Sequence, residues 1–457
     1  MLSIHMKKST TILPVLLLAL SCNPGREKEP VVLITLDPGH FHAALIQKTQ
    51  YPQVSKDVYV YAPPGPDVEE HLKKIEAYNI RPDNPTSWNE IVYLGDDYLQ
   101  KMLSGKKGNV MVTSGNNAKK TEYISKALEA GINVLSDKPM AINPEDYSRL
   151  VECFGKAREK GVLLYDIMTE RYEISTILQR EFSRIPAIYG EQLKGSPAEP
   201  AVTKESVHHF YKEVSGNPLI RPAWFYDVRQ QGEGIVDVMV HLVDLVQWEC
   251  FPEQVLSPED VSIVSARHWC TRLDRAQFEA STGLDDYPAF LGGEVKDGVL
   301  EVMSNGEINY TLKGVHAKVV ETWEYEAPPG GGDTHYSIMQ GSRARLVIRQ
   351  GKEQGFIPEL YIEPAVAAGP DYSAMLEKEF AVVAGKYPGI ALEPFGNGWH
   401  VIIPESYRVG HEAHFGQVTG RFLDYLEKGS MPEWEVSGMI TKYFITTQGW
   451  KIAHGQL

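Results

Sequence analysis

Between residues 31 and 170, apolar and polar positions alternate in blocks that predict strands and helices in turn. Apolar or alternating runs predict strands at 31–36, 57–62, 110–114, 132–135 and 162–166. Amphipathic patterns between them predict helices at 43–48, 119–130 and 144–160. The polar, proline-containing stretch 69–93 is expected to be a surface insertion. This order predicts an α/β domain over residues 31–170, built on a doubly wound parallel sheet.

From residue 188 onward, the predicted strands are longer and several of them alternate apolar with polar residues. That alternation is typical of an antiparallel sheet with one covered face. Strands are predicted at 188–194, 261–269, 300–303, 307–312, 316–325 and 344–349. We therefore expect residues 171–457 to form an α+β domain with a large, mostly antiparallel sheet.

The composition excludes several classes of protein. A chain of 457 residues that is 43% hydrophobic and 23% charged is long enough for two globular cores. The formal net charge of −15 argues against nucleic-acid binding, because phosphate contacts require clustered Lys and Arg. It also argues against charge-driven binding to an anionic membrane.

The N-terminus resembles a bacterial lipoprotein signal. Lys7 and Lys8 precede an apolar run at 12–20 that is too short to span a bilayer and is followed directly by Ser21 and Cys22. We expect residues 1–21 to be a signal peptide, Cys22 to be lipidated and residues 22–30 to be a tether. The protein would then be exported and membrane-anchored, facing the periplasm or the cell surface. A plain secretory signal with an incidental cysteine is the alternative. The other cysteines, Cys153, Cys250 and Cys270, fit no zinc spacing and are expected to be free thiols.

The segment 230–248 contains a candidate proton-transfer pair. Gly232 and Gly234 predict a turn before an apolar helix, on which Asp237 and His241 stand four residues apart and share one face. A carboxylate one turn below an imidazole fixes its tautomer and raises its basicity. A buried helix with a structurally paired histidine is the alternative. Asp244 extends the same polar stripe.

Lys138 is a second candidate for chemistry. It follows the strand 132–135 directly, and side chains at the carboxyl ends of parallel strands line the crevice where α/β proteins bind ligands. Pro139 favours an extended conformation for the preceding lysine. A solvated turn lysine is the alternative.

Two other strand ends are expected to line the same crevice. The first strand leads through Gly39 into a helix, a geometry that offers free N–H groups to a phosphate. Small residues, Ser114 and Gly115, follow the strand 110–114 and leave room for a flat ring. Asn117 could bond ribose hydroxyls or cap the following helix.

These motifs, in this order, resemble the Gfo/Idh/MocA family of glucose–fructose oxidoreductase and inositol dehydrogenase. The matching residues are Asp137-Lys138-Pro139, Gly232-Glu233-Gly234, Asp237, His241, Asp244, Asn117, Arg171-Tyr172 and Arg221-Pro222-Ala223-Trp224. Asp137 replaces the family's usual Glu, and Glu233 replaces its middle Gly. Gly39 and His42 resemble the end of the family's dinucleotide turn, but its first two glycines are absent. The resemblance covers residues 31–250 well and the rest loosely.

The resemblance implies a Rossmann domain that binds NAD or NADP, with NAD favoured, and a second domain that binds a sugar or glycoside. It implies that Lys138 and His241 share acid/base work while Asp237 orients His241. Cofactor contacts are expected from Gly39, His40, Phe41, Ser114, Gly115, Asn117, Asp137 and Lys138. Substrate contacts are expected from Arg171, Tyr172, Trp224 and Asp244.

Export and a nicotinamide cofactor together suggest a redox-neutral reaction, because a simple dehydrogenase outside the cytoplasm has no evident pool for exchange. A glycosidase or an epimerase that works through a transient keto-sugar satisfies this condition, as does a swap between two sugars. A sugar-binding lipoprotein without cofactor is the rival. No metal is expected, since His208-His209 and His411/His414 lack an accompanying carboxylate pattern. A homo-oligomer is left open.

Overall fold

The apolar runs of the N-terminal half form a parallel sheet buried on both faces. The computed structural model describes residues 30–214, 217–366 and 369–456. Its first sheet has six strands in the order β3-β2-β1-β4-β5-β6. These are β1 (Leu33–Leu36), β2 (Asp57–Ala62), β3 (Asn89–Leu94), β4 (Val110–Thr113), β5 (Asn133–Ser136) and β6 (Leu164–Asp166). All pairs are parallel, which confirms the predicted Rossmann-type sheet.

Helices connect these strands, and the position of one of them contradicts the prediction for residues 69–93. They are α1 (His42–Leu45), α2 (Pro66–Ile80), α3 (Tyr98–Gly105), α4 (Asn117–Glu129) and α5 (Pro144–Lys160). The stretch 69–93 is not an insertion, because it supplies most of α2 and β3. The error arose because β3 is an edge strand that buries little of its surface, so its pattern lacks a buried strand's apolar run.

The second half forms a mixed, mostly antiparallel sheet of ten strands. The strands after β6 are β7 (Val202–Tyr211), β8 (Glu213–Val214), β9 (Asn217–Pro218), β10 (Val261–Leu273), β11 (Val295–Lys296), β12 (Val299–Leu312), β13 (Val315–Glu326), β14 (Thr334–Gln340), β15 (Ala344–Arg349), β16 (Glu359–Pro364), β17 (Ala391–Phe395) and β18 (Gly398–Ile402). The order is β10-β12-β13-β7-β14-β15-β16-β18-β17, with β11 beside β12 and a separate β8–β9 pair. Among these pairs, β13 and β7 run parallel.

Two strand predictions in this half were wrong. Residues 188–194 form turns, with Gly190 at a φ of 79°, and the strand lies later at Val202–Tyr211. Ile188 and Tyr189 are buried in the core without pairing into the sheet, so burial alone produced the apolar signal. The runs 300–303 and 307–312 are one strand, β12, because Gly306 continues the ladder and packs against Ile235.

The remaining helices are α6 (Ile174–Ser183), α7 (Val228–Gln231), α8 (Met239–Cys250), α9 (Arg275–Thr282), α10 (Pro370–Lys386), α11 (His411–Lys428) and α12 (Glu433–Ala453). Phe422 of α11 and Tyr443 of α12 belong to the core of the first sheet, so the predicted division at residue 170 separates the two sheets but not the two cores. Clustering of contacts places residues 31–457 in one compact unit. Among the described helices, none is long and apolar enough to cross a membrane.

Of the three free thiols, Cys153 is buried and the other two are half-buried. The predicted signal peptide, Cys22 and most of the tether lie outside the described residues.

Candidate functional site

The carboxyl ends of β1 and β4 come close together because both carry a glycine. A Cβ atom at Gly115 would lie 2.4 Å from the backbone oxygen of Asp37 and 3.0 Å from the nitrogen of Gly39. The N–H groups of Gly39 and His40 both donate to the Ser114 carbonyl, at 3.0 and 3.2 Å. Asp37 adopts a φ of 46°, a left-handed conformation that favours glycine. The turn therefore keeps a glycine-type conformation although an aspartate occupies the position.

Trp224 and Asp67 cover this turn. The indole N–H of Trp224 donates to the Asp67 carboxylate at 3.0 Å. A Cβ at Gly39 would meet Asp67 Oδ2 at 3.0 Å and the Trp224 ring at 3.1 Å. Burial raises the pKa of Asp67, which the bond from Trp224 partly offsets. Trp224 thus lies against the turn at Gly39, and its predicted contact with substrate stays a prediction.

His40, His42, Ser114 and Asp137 form a polar cluster behind the turn. The Asp137 carboxylate lies 3.0 Å from His42 Nδ1, 3.7 Å from His40 Nδ1 and 2.8 Å from Ser114 Oγ. Burial opposes ionisation of Asp137, but His42, Lys120 and His40 together outweigh burial and hold its pKa well below the ordinary value. Burial lowers the pKa of both histidines, and Asp137 partly offsets this. Asp137 is 3% exposed, so it lies beneath its neighbours and orients their side chains. Phe41 packs against the hydrophobic core beside this cluster.

Lys138 forms a buried ion pair with Asp237. Its Nζ atom lies 2.7 Å from Asp237 Oδ1, while Asp237 Oδ2 accepts from the Gln231 side chain at 2.9 Å. Burial works against the ammonium charge, but Asp237 and Asp137 more than compensate and raise the pKa of Lys138. Lys138 is therefore a cation in the resting protein. An ammonium group can donate a proton or stabilise negative charge, but it cannot act as a base.

Asp237 does not orient His241, contrary to the prediction. The helix α8 begins at Met239, so Asp237 lies in the preceding turn and its carboxylate faces Lys138. Among the described residues, His241 Nδ1 has no hydrogen-bond partner. Burial, followed by the charge of Lys138, lowers the pKa of His241 well below its ordinary value. Burial therefore favours the neutral imidazole, with Nδ1 buried and without a partner among the described residues.

Arg171 and Asp244 already bind protein partners with the atoms that were expected to bind substrate. Arg171 makes a bidentate pair with Asp244, at 2.6 and 2.7 Å, and a third bond to Glu435 at 2.9 Å. Asp244 is 1% exposed and also pairs with Lys442 at 3.0 Å. We therefore assign both residues a structural role. Tyr172 is half-buried against the core of the first sheet.

Asn116, and not Asn117, caps α4. Its side chain accepts from the Ala118 N–H at 3.1 Å. The Asn117 amide donates to the Gln231 carbonyl at 2.7 Å and is 3% exposed, so it ties the β4 end to α7. The expected bond from Asn117 to ribose hydroxyls stays a prediction.

Family models and a close relative match these features. The model described as "Oxidoreductase family, NAD-binding Rossmann fold" matches residues 60–165, and that described as "Putative oxidoreductase C terminal domain" matches residues 178–454. A solved structure of a "putative oxidoreductase" from Parabacteroides merdae is 60% identical, covers 93% of this chain and 98% of its own, and has a TM-score of 0.92. The chain belongs to the Gfo/Idh/MocA oxidoreductase family.

More distant family structures share the fold. A 3-ketoreductase from Actinomadura kijaniata, in complex with NADP and TDP-benzene, is 14% identical over 93% of this chain and 98% of its own, with a TM-score of 0.55. A "putative myo-inositol dehydrogenase" from Sinorhizobium meliloti is 12% identical over the same shares, with a TM-score of 0.54. Among functionally curated proteins, none matches this sequence.

The residues on one side of the crevice leave more room for the family's cofactor than the residues on the other side. Lys138 and the small residues Ser114 and Gly115 leave a polar strand end where a nicotinamide would lie. Over Gly39, where the backbone of a dinucleotide turn approaches the pyrophosphate, Trp224 and Asp67 occupy the space. The small strand-end residues therefore fit a dinucleotide, whereas Trp224 and Asp67 cover the position of its pyrophosphate.

Several titratable residues were not part of any motif recognised in the sequence. Burial raises the pKa of Glu170 to about 7, and that of Glu321 well above its ordinary value. Burial, with smaller effects from His42 and His414, lowers the pKa of His411 to about 3.

His208, His209 and Lys212 surround Asp333, and His208 Nδ1 lies 3.1 Å from the Asp333 carboxylate. These residues come from distant segments, so the sequence showed only the pairs His208-His209 and His411/His414, and not the contact of the first pair with Asp333.

Proposed function

We propose that this chain is an NAD(P)-dependent oxidoreductase that acts on a hydroxyl of a sugar or glycoside. The observation that carries the proposal is the pairing of cationic Lys138 with Asp237, at 2.7 Å, near enough to His241 for the lysine charge to lower the pKa of that imidazole after burial has done so. A proton acceptor and a fixed positive charge are what hydroxyl oxidation requires of the protein. A bound nicotinamide would supply the hydride acceptor.

In this reaction, His241 takes the hydroxyl proton and Lys138 stabilises the negative charge that develops on oxygen. Asp237 holds the Lys138 ammonium in place, and Gln231 holds the other oxygen of Asp237. Glu170 contributes a negative or neutral group near Lys138, according to pH. A ring polyol is the substrate class suggested by the myo-inositol dehydrogenase among the structural relatives.

The charges near the turn favour NAD over NADP. Asp37 follows β1, Asp67 lies in the first turn of α2, and the two carboxylates are close enough to raise the pKa of Asp67. The end of the second strand is where the adenosine ribose binds in a Rossmann domain. A 2′-phosphate there would be repelled by the Asp67 carboxylate, whereas the charge of Asp37 is offset by Lys119 at 3.2 Å.

We further propose that the reaction is redox-neutral. If the N-terminal segment directs export, reduced cofactor has no evident pool for exchange, and the substrate carbon must be reduced again before product leaves. Oxidation of a hydroxyl to a ketone acidifies the neighbouring C–H, and His241 takes that proton after it has released the hydroxyl proton to solvent. Elimination of the group on the next carbon, addition of water and reduction of the ketone then complete a hydrolysis with no net oxidation. Return of the proton or hydride to the opposite face gives an epimerase instead.

Turnover of a panel of glycosides in deuterated water, without added cofactor, tests this proposal. We expect many turnovers per chain, with deuterium at the carbon beside the oxidised one. Strict dependence on added NAD with stoichiometric release of NADH would contradict the redox-neutral reaction while leaving the oxidoreductase in place.

A sugar-binding protein without cofactor is the second candidate, and one observation favours it. Trp224 and Asp67 fill the space above Gly39 that a dinucleotide needs. A native mass spectrum separates the two candidates, because a retained or added NAD would raise the mass of the oxidoreductase and leave that of the sugar-binding protein unchanged.

A further inference from the structure

Glu233 occupies a rigid position between the two glycines of the turn that leads to α8. Gly232 has a φ of 95°, and Gly234 lies so close to β12 that a Cβ there would sit 1.8 Å from the Ser304 carbonyl oxygen. The Glu233 carbonyl accepts the N–H groups of Val236 and Asp237, each at 2.9 Å. The backbone of Glu233 is therefore fixed, and its side chain is 9% exposed.

Two histidines from distant elements meet the Glu233 carboxylate. His268 of β10 places Nδ1 2.7 Å from Oε2, and His454, just after α12, places Nε2 3.1 Å from Oε1. The ligand atoms of the three residues all lie within 4.8 Å of one another. The mechanism proposed above uses none of these side chains.

The hydrogen bond made by His454 Nδ1 determines what can lie between Nε2 and the Glu233 carboxylate. Its Nδ1 atom lies 2.9 Å from the Trp450 carbonyl oxygen, which only accepts, so Nδ1 carries a hydrogen. In the neutral ring, Nε2 then bears a lone pair and faces a carboxylate oxygen that also bears lone pairs. Two such atoms at 3.1 Å require a hydrogen or a metal ion between them, and the hydrogen would lie either on Nε2 or on the carboxyl group.

We propose that Glu233, His268 and His454 bind a divalent transition-metal ion, with Zn²⁺ as the preferred occupant. Two imidazoles and one carboxylate are a recognised zinc ligand set, in which ligand atoms at about 2.0–2.2 Å from the metal lie about 3.3–3.5 Å apart. The histidines lie 2.7 and 3.1 Å from different oxygens of Glu233, and the widest separation in the cluster, up to 4.8 Å, must shorten by about 1 Å to reach that spacing. Soft thiolate ligands are absent from the set, which favours zinc, nickel or cobalt over copper(I).

The surroundings of His454 resemble those of a metal ligand. A ligating histidine donates its other ring N–H to a carbonyl or carboxylate, which fixes the tautomer, and Trp450 accepts that bond here. The Trp450 ring also stacks on His454, with centroids 3.8 Å apart. His268 and His454 are 18% and 27% exposed, so water has access to the remaining coordination positions.

This metal would join three separate parts of the fold. It would clamp β10 and the end of α12 to the turn that precedes Asp237. Because the Asp237 N–H donates to the Glu233 carbonyl, the metal would also hold the turn that presents Asp237 to Lys138. The site is thus a structural support for the cleft, with water positions open to solvent.

Zinc titration of the purified chain tests the proposal. The protein is prepared without a histidine tag, stripped with a chelator, and titrated with ZnCl₂ by calorimetry, with bound metal counted by elemental mass spectrometry. We expect one Zn²⁺ per chain and a rise in the thermal midpoint on binding. The double variant His268→Gln/His454→Gln should lose about 100-fold or more in zinc affinity, and Glu233→Gln should weaken binding while keeping the hydrogen bonds of the cluster.

The chain offers a matched control. His400 and Glu359 also form a Glu–His contact, at 3.0 Å between β16 and β18, and they belong to no described cluster of three metal ligands. His400→Gln should leave zinc binding unchanged. Absence of zinc binding by the wild-type chain would overturn the proposal. So would full zinc stoichiometry in the double variant, which would place the ion elsewhere, as at His40, His42 and Asp137.

Discussion

Lys138 and Asp237 are the two side chains on which the proposed chemistry most depends. Replacing Lys138 with Met keeps the length of the side chain and removes its charge from a buried position. We expect kcat/KM on any identified substrate to fall by about 10²- to 10⁴-fold, because a developing oxyanion loses its only close cation partner in the proposed mechanism. Lys296→Met, which breaks an exposed ion pair with Glu301, is the control and should leave kcat/KM unchanged. Full activity of Lys138→Met would remove the mechanism.

The buried side chain of His71 makes the free energy of unfolding depend on pH. It is 4% exposed on α2, neither ring nitrogen has a partner among the described residues, and burial lowers its pKa to about 4. The unfolded chain binds a proton at about pH 6.5, which the folded chain does not. Stability is therefore unaffected above pH 6.5 and falls as the pH drops towards 4, by up to about 3 kcal/mol from this residue.

Denaturant unfolding between pH 7 and pH 4 tests this expectation. His71→Leu should lose less stability over that range than the wild-type chain, because it has no imidazole to protonate on unfolding. His316→Gln, a half-buried position on β13, serves as the control. Parallel loss of stability in the His71→Leu and wild-type chains would contradict the assignment.

At the scale of the element, the glycine turn before α8 is predicted to be the least tolerant segment. In Gly234→Ala, the new Cβ would lie 1.8 Å from the Ser304 carbonyl oxygen, so the turn or β12 must shift. We expect a loss of about 3 kcal/mol or more in the free energy of unfolding. Gly420→Ala is the contrasting change, since Gly420 lies inside α11 with open space around it, and it should stabilise by about 1 kcal/mol. Equal thermal midpoints for the two variants would contradict this prediction.

Elements bounded by local signals were predicted accurately. The helix 144–160 matched to the residue because Asn143 caps it, Pro144 opens it and Gly161 ends it at a φ of 66°. The strand 57–62 matched because its alternation reflects real burial. The start of α8 was placed too early, because nothing local distinguishes the last residues of the turn from the first turn of the helix.

At the scale of the whole molecule, the C-terminal helices join the two sheets. Lys442 of α12 lies 2.7 Å from Asp166 at the end of β6 and 3.0 Å from Asp244 of α8. Tyr443 accepts the Met140 N–H at 2.9 Å. The site is therefore supported by residues of α12, which lie some 300 positions further along the chain.

Anchoring concerns the whole molecule as well, although Cys22 lies outside the described residues. If Cys22 is lipidated, Cys22→Ser should move the protein from the membrane fraction to the soluble fraction, since each buried CH₂ of an acyl chain contributes about 0.8 kcal/mol of membrane affinity. Immunoblots of the separated fractions measure this, with Cys153→Ser as the control thiol. An unchanged membrane fraction for Cys22→Ser would reject the lipid anchor.

The sequence by itself determined the class of sheet, the family and the positions of Lys138, Asp237 and His241, because strand periodicity and strand-end motifs are local properties of the chain. Only the tertiary structure decided which charges pair with which. Asp237 pairs with Lys138 instead of His241, and Asp244 with Arg171 instead of substrate, because ion pairs form between side chains that folding brings together under burial. For the same reason, the cluster of Glu233, His268 and His454 had no signature along the chain.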